Sequence, residues 1–152
     1  MFFRGANNVT LDAKGRLAMP TRYRERIVER SNGQLVATID RTDRCLLIYP
    51  LPDFEEIERQ LNDLPALSAA ARSLQRLMIG HATELELDAQ GRMLIPPKLR
   101  EYAGLNRDVM LVGQGVRFEL WDEAQWEANR EQWLKTDHSA EGLSAELSAL
   151  RL

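Results

Sequence analysis

Asp12, Lys14 and Arg16 stand at alternate positions of the phrase LDAKGR, and Asp88, Gln90 and Arg92 stand at the same positions of LDAQGR. The aspartates can accept hydrogen bonds from backbone N–H groups within a tight turn. Gly15 and Gly91 can take positive φ there, and the arginines can pair with the aspartates. That reading makes Asp12, Gly15, Asp88, Gly91 and Arg92 a structural turn motif. Lys14 and Arg16 add donors able to face a phosphate or a guanine edge, which is recognition chemistry rather than bond-making chemistry. Other chemistries fail by counting. Two histidines far apart, His81 and His138, and one cysteine, Cys45, provide no zinc-ligand spacing. No Gly-x-Ser-x-Gly elbow and no phosphate-cradling Gly-x-x-x-x-Gly-Lys-Ser/Thr loop occurs. The expectation is a protein that is not an enzyme, with no metal, cofactor or small-molecule substrate. Cys45, followed by Leu46, Leu47 and Ile48, reads as a small buried hydrophobe.

The elements that must carry these turns come in two copies. Residues 11–25 and 87–101 align without a gap, identical at eight of fifteen positions and 76 residues apart. In each copy a short alternating strand (8–11, 84–87) leads into the turn, and a second strand (16–19, 92–95) leaves it. Pro20 and Pro97 then open a helix, where a missing N–H costs nothing. The first helix buries Tyr23 and Ile27 and ends at Asn32-Gly33; the second carries Leu99 and Tyr102 and ends at Gly104. Two further apolar runs follow as a hairpin, QLVATID with CLLIYP and VMLVG with RFELW. Each copy is thus ββαββ in about 45 residues, too small to bury a good core alone, so two units must pack on each other within one chain or between chains.

This divides the chain into a first module at 6–53, a helical connector at 54–80, a second module at 82–125 and a helical tail at 126–152. The connector is a helical hairpin with Phe54, Ile57 and Leu61 on one stripe and Leu74, Leu77 and Met78 on another, broken at Pro65. In the tail, Trp126 and Trp133 share nearly one face, and Leu143, Leu147 and Leu150 form a further stripe. These helices can cover their own sheet or a neighbouring subunit. No apolar run approaches the roughly 20 residues that cross a bilayer, so no membrane and a cytoplasmic location are expected.

A net charge of −3 argues at first against nucleic acid, but its distribution reverses that. Residues 1–50 carry nine basic and five acidic groups, a net +4, and the remainder carries −7. The second copy keeps the turn and loses the charge: Gln90 stands for Lys14, Lys98 for Arg22 and Tyr102 for Arg26, while Glu84 and Glu86 stand for Asn8 and Thr10. The first copy is therefore the one expected to touch DNA, through Arg16, Lys14, Arg4, Arg22 and Arg24, and the second is expected to serve assembly.

Taken together, MFFRGANNVTLDAKGRLAMPTRYRE, TIDRTDRCLLIYPLPDFEEIE, LMIGHATELELDAQGRMLIPPKLREYAGL and VMLVGQGVRFELWDEAQW resemble the MraZ family, of the AbrB-like class. The resemblance runs from the N-terminus to about residue 135, and it places the family's motif aspartate at Asp12 and Asp88 and its arginine at Arg16 and Arg92. It implies an α+β, swapped-hairpin fold in which the two halves interlock as a pseudo-twofold β-barrel, with the helical hairpin and C-terminal helices added, and subunits assembled in a ring. It further implies a nucleoid-associated repressor. Such a protein binds tandem direct repeats in double-stranded DNA of its own promoter, upstream of the division and cell-wall gene cluster. The alternative is a ring-forming protein-interaction scaffold without specific DNA binding, suggested by the net acidity and the acidic, tryptophan-bearing helices after residue 121.

Overall fold

The structure, a computed structural model, describes residues 2–136 and 149–151. The first copy is β1 (Phe3–Thr10), β2 (Arg16–Ala18), α1 (Thr21–Ser31), β3 (Gln34–Ile39) and β4 (Leu46–Pro50), followed by α2 (Leu51–Asn62) and α3 (Ala69–Met78). The second is β5 (Thr83–Glu86), β6 (Arg92–Leu94), α4 (Pro97–Tyr102), β7 (Asp108–Gly115) and β8 (Arg117–Asp122), followed by α5 (Glu123–Lys135). Pro20 caps α1 and Pro97 opens α4, while Asn32 ends α1 in the left-handed conformation, a common way for a helix to end. Because α2 continues directly from β4 and α5 directly from β8, the repeating unit is ββαββα, one helix longer than the local pattern suggested. Leu143, Leu147 and His138 lie outside the described residues, and Leu150 is exposed.

Local reading makes β1 and β2 a hairpin, but among the described residues their pairing is reduced to one isolated bridge, from Leu11 just past β1 to Leu17. Their ladders run between the copies instead: β1 pairs with β7 over its whole length, β5 with β3, and β2 with β6. With β4 and β8 paired at the centre, the main sheet has the order β1-β7-β8-β4-β3-β5, symmetric about its middle, and every pairing is antiparallel. This exchange explains why β1 begins at Phe3 rather than near residue 8: its partner is remote in sequence, so local alternation does not reveal it. A closed barrel is not formed among the described residues. The end strands β1 and β5 are not bonded to each other, and β2 and β6 make a separate two-stranded ribbon. Each turn is closed by one backbone bond, Asp12 N–H to Arg16 O (3.0 Å) and Asp88 N–H to Arg92 O (2.8 Å).

Alternation along the central strands fills both faces of the sheet. Leu35, Ala37, Ile39, Leu46, Ile48, Val109, Leu111, Phe118 and Leu120 point inward to one core shared with Leu17, Tyr23 and Ile27 of the first copy and Met93, Ile95 and Leu99 of the second. The two units therefore complete each other within one chain. On the outer face α2 sets Phe54 against Val36, Leu47 and Tyr49. Over the other half, Trp126 and Trp133 of α5 meet Trp121 edge to face, with ring centroids 6.0 and 5.5 Å away. Cys45 is fully buried beside Met110 and Trp121, in line with its reading as a core residue. No described helix is long and apolar enough to cross a membrane.

Asp122 fastens α5 to the sheet. Its carboxylate accepts from Gln125 N–H (3.4 Å) as the helix cap and from the backbone and side-chain N–H of Asn106 (3.1 and 3.2 Å), and the residue is only 5% exposed. Asp122→Ala is expected to cost about 1–2 kcal/mol. Urea denaturation should show a lower midpoint with an unchanged slope, and an unmoved midpoint would mean that the cap does not hold the helix.

Candidate nucleic-acid interface

The two turns are built alike, atom for atom. Asp12 Oδ1 accepts from Lys14 N–H (2.9 Å) and Arg16 N–H (2.8 Å), and Oδ2 accepts from Arg16 Nε (2.6 Å). Asp88 does the same with Gln90 N–H (2.9 Å), Arg92 N–H (2.8 Å) and Arg92 Nε (2.9 Å). Gly15 and Gly91 take φ of +87° and +74°, which an L side chain rarely adopts. The ribbon then sets the turns side by side, because Ala18 pairs with Arg92 and Arg16 with Leu94, while Ile95 N–H bonds to Gly15 O and Met19 N–H to Gly91 O, both at 2.9 Å. Side-chain exposure is nearly the same for Arg16 and Arg92, 31% and 32%. The internal geometry of the turns thus does not distinguish them, and within the turns the distinction falls to charge. Lys14 is exposed and its side chain makes no hydrogen bond or ion pair among the described residues, whereas Gln90 accepts a hydrogen bond from Arg92 at 3.3 Å.

The other arginines expected at this interface are not gathered there. Arg4 lies on β1 six residues before Thr10, about 20 Å away along an extended strand. Arg22 shares that end: it donates to the Asn7 side chain and stacks over Tyr23 at 4.8 Å, whose hydroxyl donates to Arg4 O at 2.5 Å. Arg24 leans on the second turn rather than the first. Its Nε donates to Met19 O (2.6 Å), and its guanidinium fills the space that a Cβ on Gly91 would enter. The charge excess of residues 1–50 groups Arg4, Arg22 and Arg24 with the turn but carries no direction, and α1 projects its arginines in different directions.

Against the first turn stand two residues that the sequence reading did not select, Arg100 and Arg107. With Thr10, Asp12, Ala13 and Asn106 they line an open cavity of about 610 Å³. The signal was available for Arg100, which is the repeat partner of Arg24. None was available for Arg107, whose place in the second module corresponds to Gly33 in the first: each carbonyl accepts the N–H of the leucine before a turn, Leu11 at 2.8 Å and Leu87 at 3.0 Å.

The turn's hydrogen bonds hold the Asp12 carboxyl down to about 2 from 3.8, first through the Arg16 backbone N–H and then through the Arg16 side chain and the Lys14 N–H, against a partial opposing effect of burial. Asp88 is lowered for the same reasons, led by the Arg92 backbone N–H. A depressed folded-state value stabilises the turn fully above the ordinary value and loses that contribution as pH falls through about 2. In Arg16→Gln the Asp12 titration followed by NMR should move only part of the way back toward 3.8, because the backbone donors remain. A complete return would show that the side chain, not the backbone, sets the shift.

Two interlocked copies of a ββαββα unit, with a doubled Asp-x-x-Gly-Arg turn on the ribbon between them, define a duplicated, strand-exchanged class of α+β protein. Within that class the chain belongs to the MraZ family: the sequence model described as "MraZ protein, putative antitoxin-like" matches residues 2–77 and again residues 78–145. It is 56% identical over 151 residues to the transcriptional regulator MraZ of Halorhodospira halophila (strain DSM 244 / SL1), covering 99% of both chains. It is similarly 55% identical over 150 residues to that of Thioalkalivibrio sulfidiphilus (strain HL-EbGR7) and 56% over 150 residues to that of Pseudomonas aeruginosa (strain LESB58), again at 99% of both chains.

Proposed function

We propose that this protein is a transcriptional regulator that binds double-stranded DNA through the Asp12–Arg16 turn, with Arg16 as the base-reading residue and Lys14 as a phosphate contact. The observation that carries the reading is the exposed turn on a two-stranded ribbon: Asp12 holds the Arg16 side chain by Nε, and the exposed Lys14 side chain beside it makes no hydrogen bond or ion pair among the described residues. A two-stranded β-ribbon is of a size to enter the major groove, where an arginine can read guanine. The full-length likeness to proteins named transcriptional regulators supports the role. Arg4 and Arg22, at the far end of β1, serve as outlying phosphate contacts, and Arg24 contributes from beside the second turn.

Two small turns make few contacts, so one subunit binds weakly, in the range of about 10⁻⁴–10⁻⁶ M typical of non-specific association. A ring that presents several turns to tandem direct repeats raises this by roughly 10²–10⁴ when the repeat spacing matches the subunit spacing. In this reading the target is the protein's own upstream DNA, ahead of the division and cell-wall gene cluster, and the outcome is repression by a cytoplasmic, nucleoid-associated ring. Gel shifts against that DNA with one to four repeats are expected to show steeply rising affinity and a strong loss with salt. Affinity independent of repeat number, or a flat salt response, would sink the proposal. The scaffold reading loses part of its motive, because Trp126 and Trp133 pack on Trp121 of their own sheet.

A further inference from the structure

We infer that Arg100, a residue of the second copy, is the positioning residue for the DNA-facing turn of the first; the inference rests on the functional reading above. Arg100 lies in the last turn of α4 and is half-buried, and its Nε donates to Ile95 O at 3.0 Å. That bond anchors the guanidinium against Gly15. A Cβ built on Gly15 would lie 2.7 Å from Cζ, 2.8 Å from Nε and 3.1 Å from Nη1 of Arg100, so the guanidinium lies directly against the Gly15 Cα. Ile95, the acceptor for Arg100, also donates its N–H to Gly15 O. A side chain and a backbone bond from the second copy thus hold one point of the first turn, just before Arg16.

The same device recurs in reverse. Arg24 of the first copy donates to Met19 O, Met19 N–H bonds to Gly91 O, and the Arg24 guanidinium lies over Gly91. Each copy therefore braces the other's turn, and glycine at the fourth turn position is required twice over: by positive φ, and by the arginine that occupies the space of a side chain. Asp12 closes the turn internally but gives it no bond to the second copy, since all its bonds stay between residues 12 and 16. Arg100 supplies that external reference. A base-reading arginine loses its discrimination when its support is loose, because bidentate contacts tolerate little misplacement. Lysine at position 100 cannot replace the brace, for it has no planar fork and no Nε donor at that point of the side chain.

The test uses the full-length protein with Arg100→Ala and Arg100→Lys, read by three measurements. In the free protein, amide exchange at Gly15 and Arg16 is expected to speed up in both variants. Affinity for the upstream repeats is expected to fall by about tenfold, at the lower end of what a lost bidentate base contact costs. The salt slope and the affinity for unrelated DNA are expected to stay those of the unmodified protein. A slope that falls by about one, with equal losses on both DNAs, would make Arg100 a phosphate contact and overturn the inference. Unchanged exchange and unchanged specific affinity would overturn it too. If Arg100→Ala fails to fold, Arg100→Lys decides by the same criteria. Because the exchange readout needs no DNA, failure of the bracing is distinguishable from failure of DNA binding, which would appear first in the unmodified protein.

Discussion

Arg16→Ala is expected to cut affinity for the upstream tandem repeats by about 10- to 100-fold per protein–DNA contact, the cost of one lost bidentate reading of a base. In the proposed ring several turns would act together, so the measured loss on repeat-bearing DNA should exceed this, while binding to unrelated DNA should change far less. The turn itself survives the substitution, because Asp12 Oδ1 keeps its two backbone donors, Lys14 N–H and Arg16 N–H. Light scattering should therefore show the same particle size for both proteins. Gel shifts that do not distinguish Arg16→Ala from the unmodified protein would remove that arginine from the interface and leave the positive turn without a function.

The second large effect is on stability. Phe118 in β8 is fully buried and belongs to the second copy, yet its closest aromatic neighbours belong to the first: Phe3 stacks on it with ring centroids 4.3 Å apart, and Tyr23 meets it edge-on at 5.0 Å. Phe118→Ala is expected to cost about 3–5 kcal/mol through lost burial and the cavity left behind. Against a total of about 5–15 kcal/mol for a typical domain, that is enough to unfold a substantial fraction of the protein at moderate temperature. Because the contact spans the copies, the loss should appear as one cooperative transition at lower urea. Two separated transitions would instead mean that each copy holds a core of its own.

Those two residues differ in how far the linear chain announces them. Arg16 sits in a phrase repeated 76 residues later, and its Asp-x-x-Gly-Arg chemistry is local. The bonds from Asp12 to Lys14 and Arg16, the positive φ of Gly15 and the start of α1 after Pro20 all lie within a few residues, so residue type and spacing suffice to foresee them. The hairpins β3–β4 and β7–β8 were legible for the same reason. Phe118, by contrast, reads from the sequence only as an apolar strand residue, and nothing near it names Phe3 or Tyr23 as partners.

The exchange of β1 and β5 between copies is a matter of global packing: a short hairpin bonded only to itself would leave its copy with too little core, and pairing across the copies buries both apolar faces at once. The same exchange scattered the arginines that stand close together in the chain. Arg4 and Arg22 went to the far end of β1 and Arg24 to the second turn, while Arg100 and Arg107 came from the second copy to flank the first. Composition, the repeat and the turn chemistry were therefore readable from residue order, because each depends on neighbours in the chain. Which turn each arginine serves, and that the two copies brace one another, arose only when strands remote in sequence paired and carried those side chains with them.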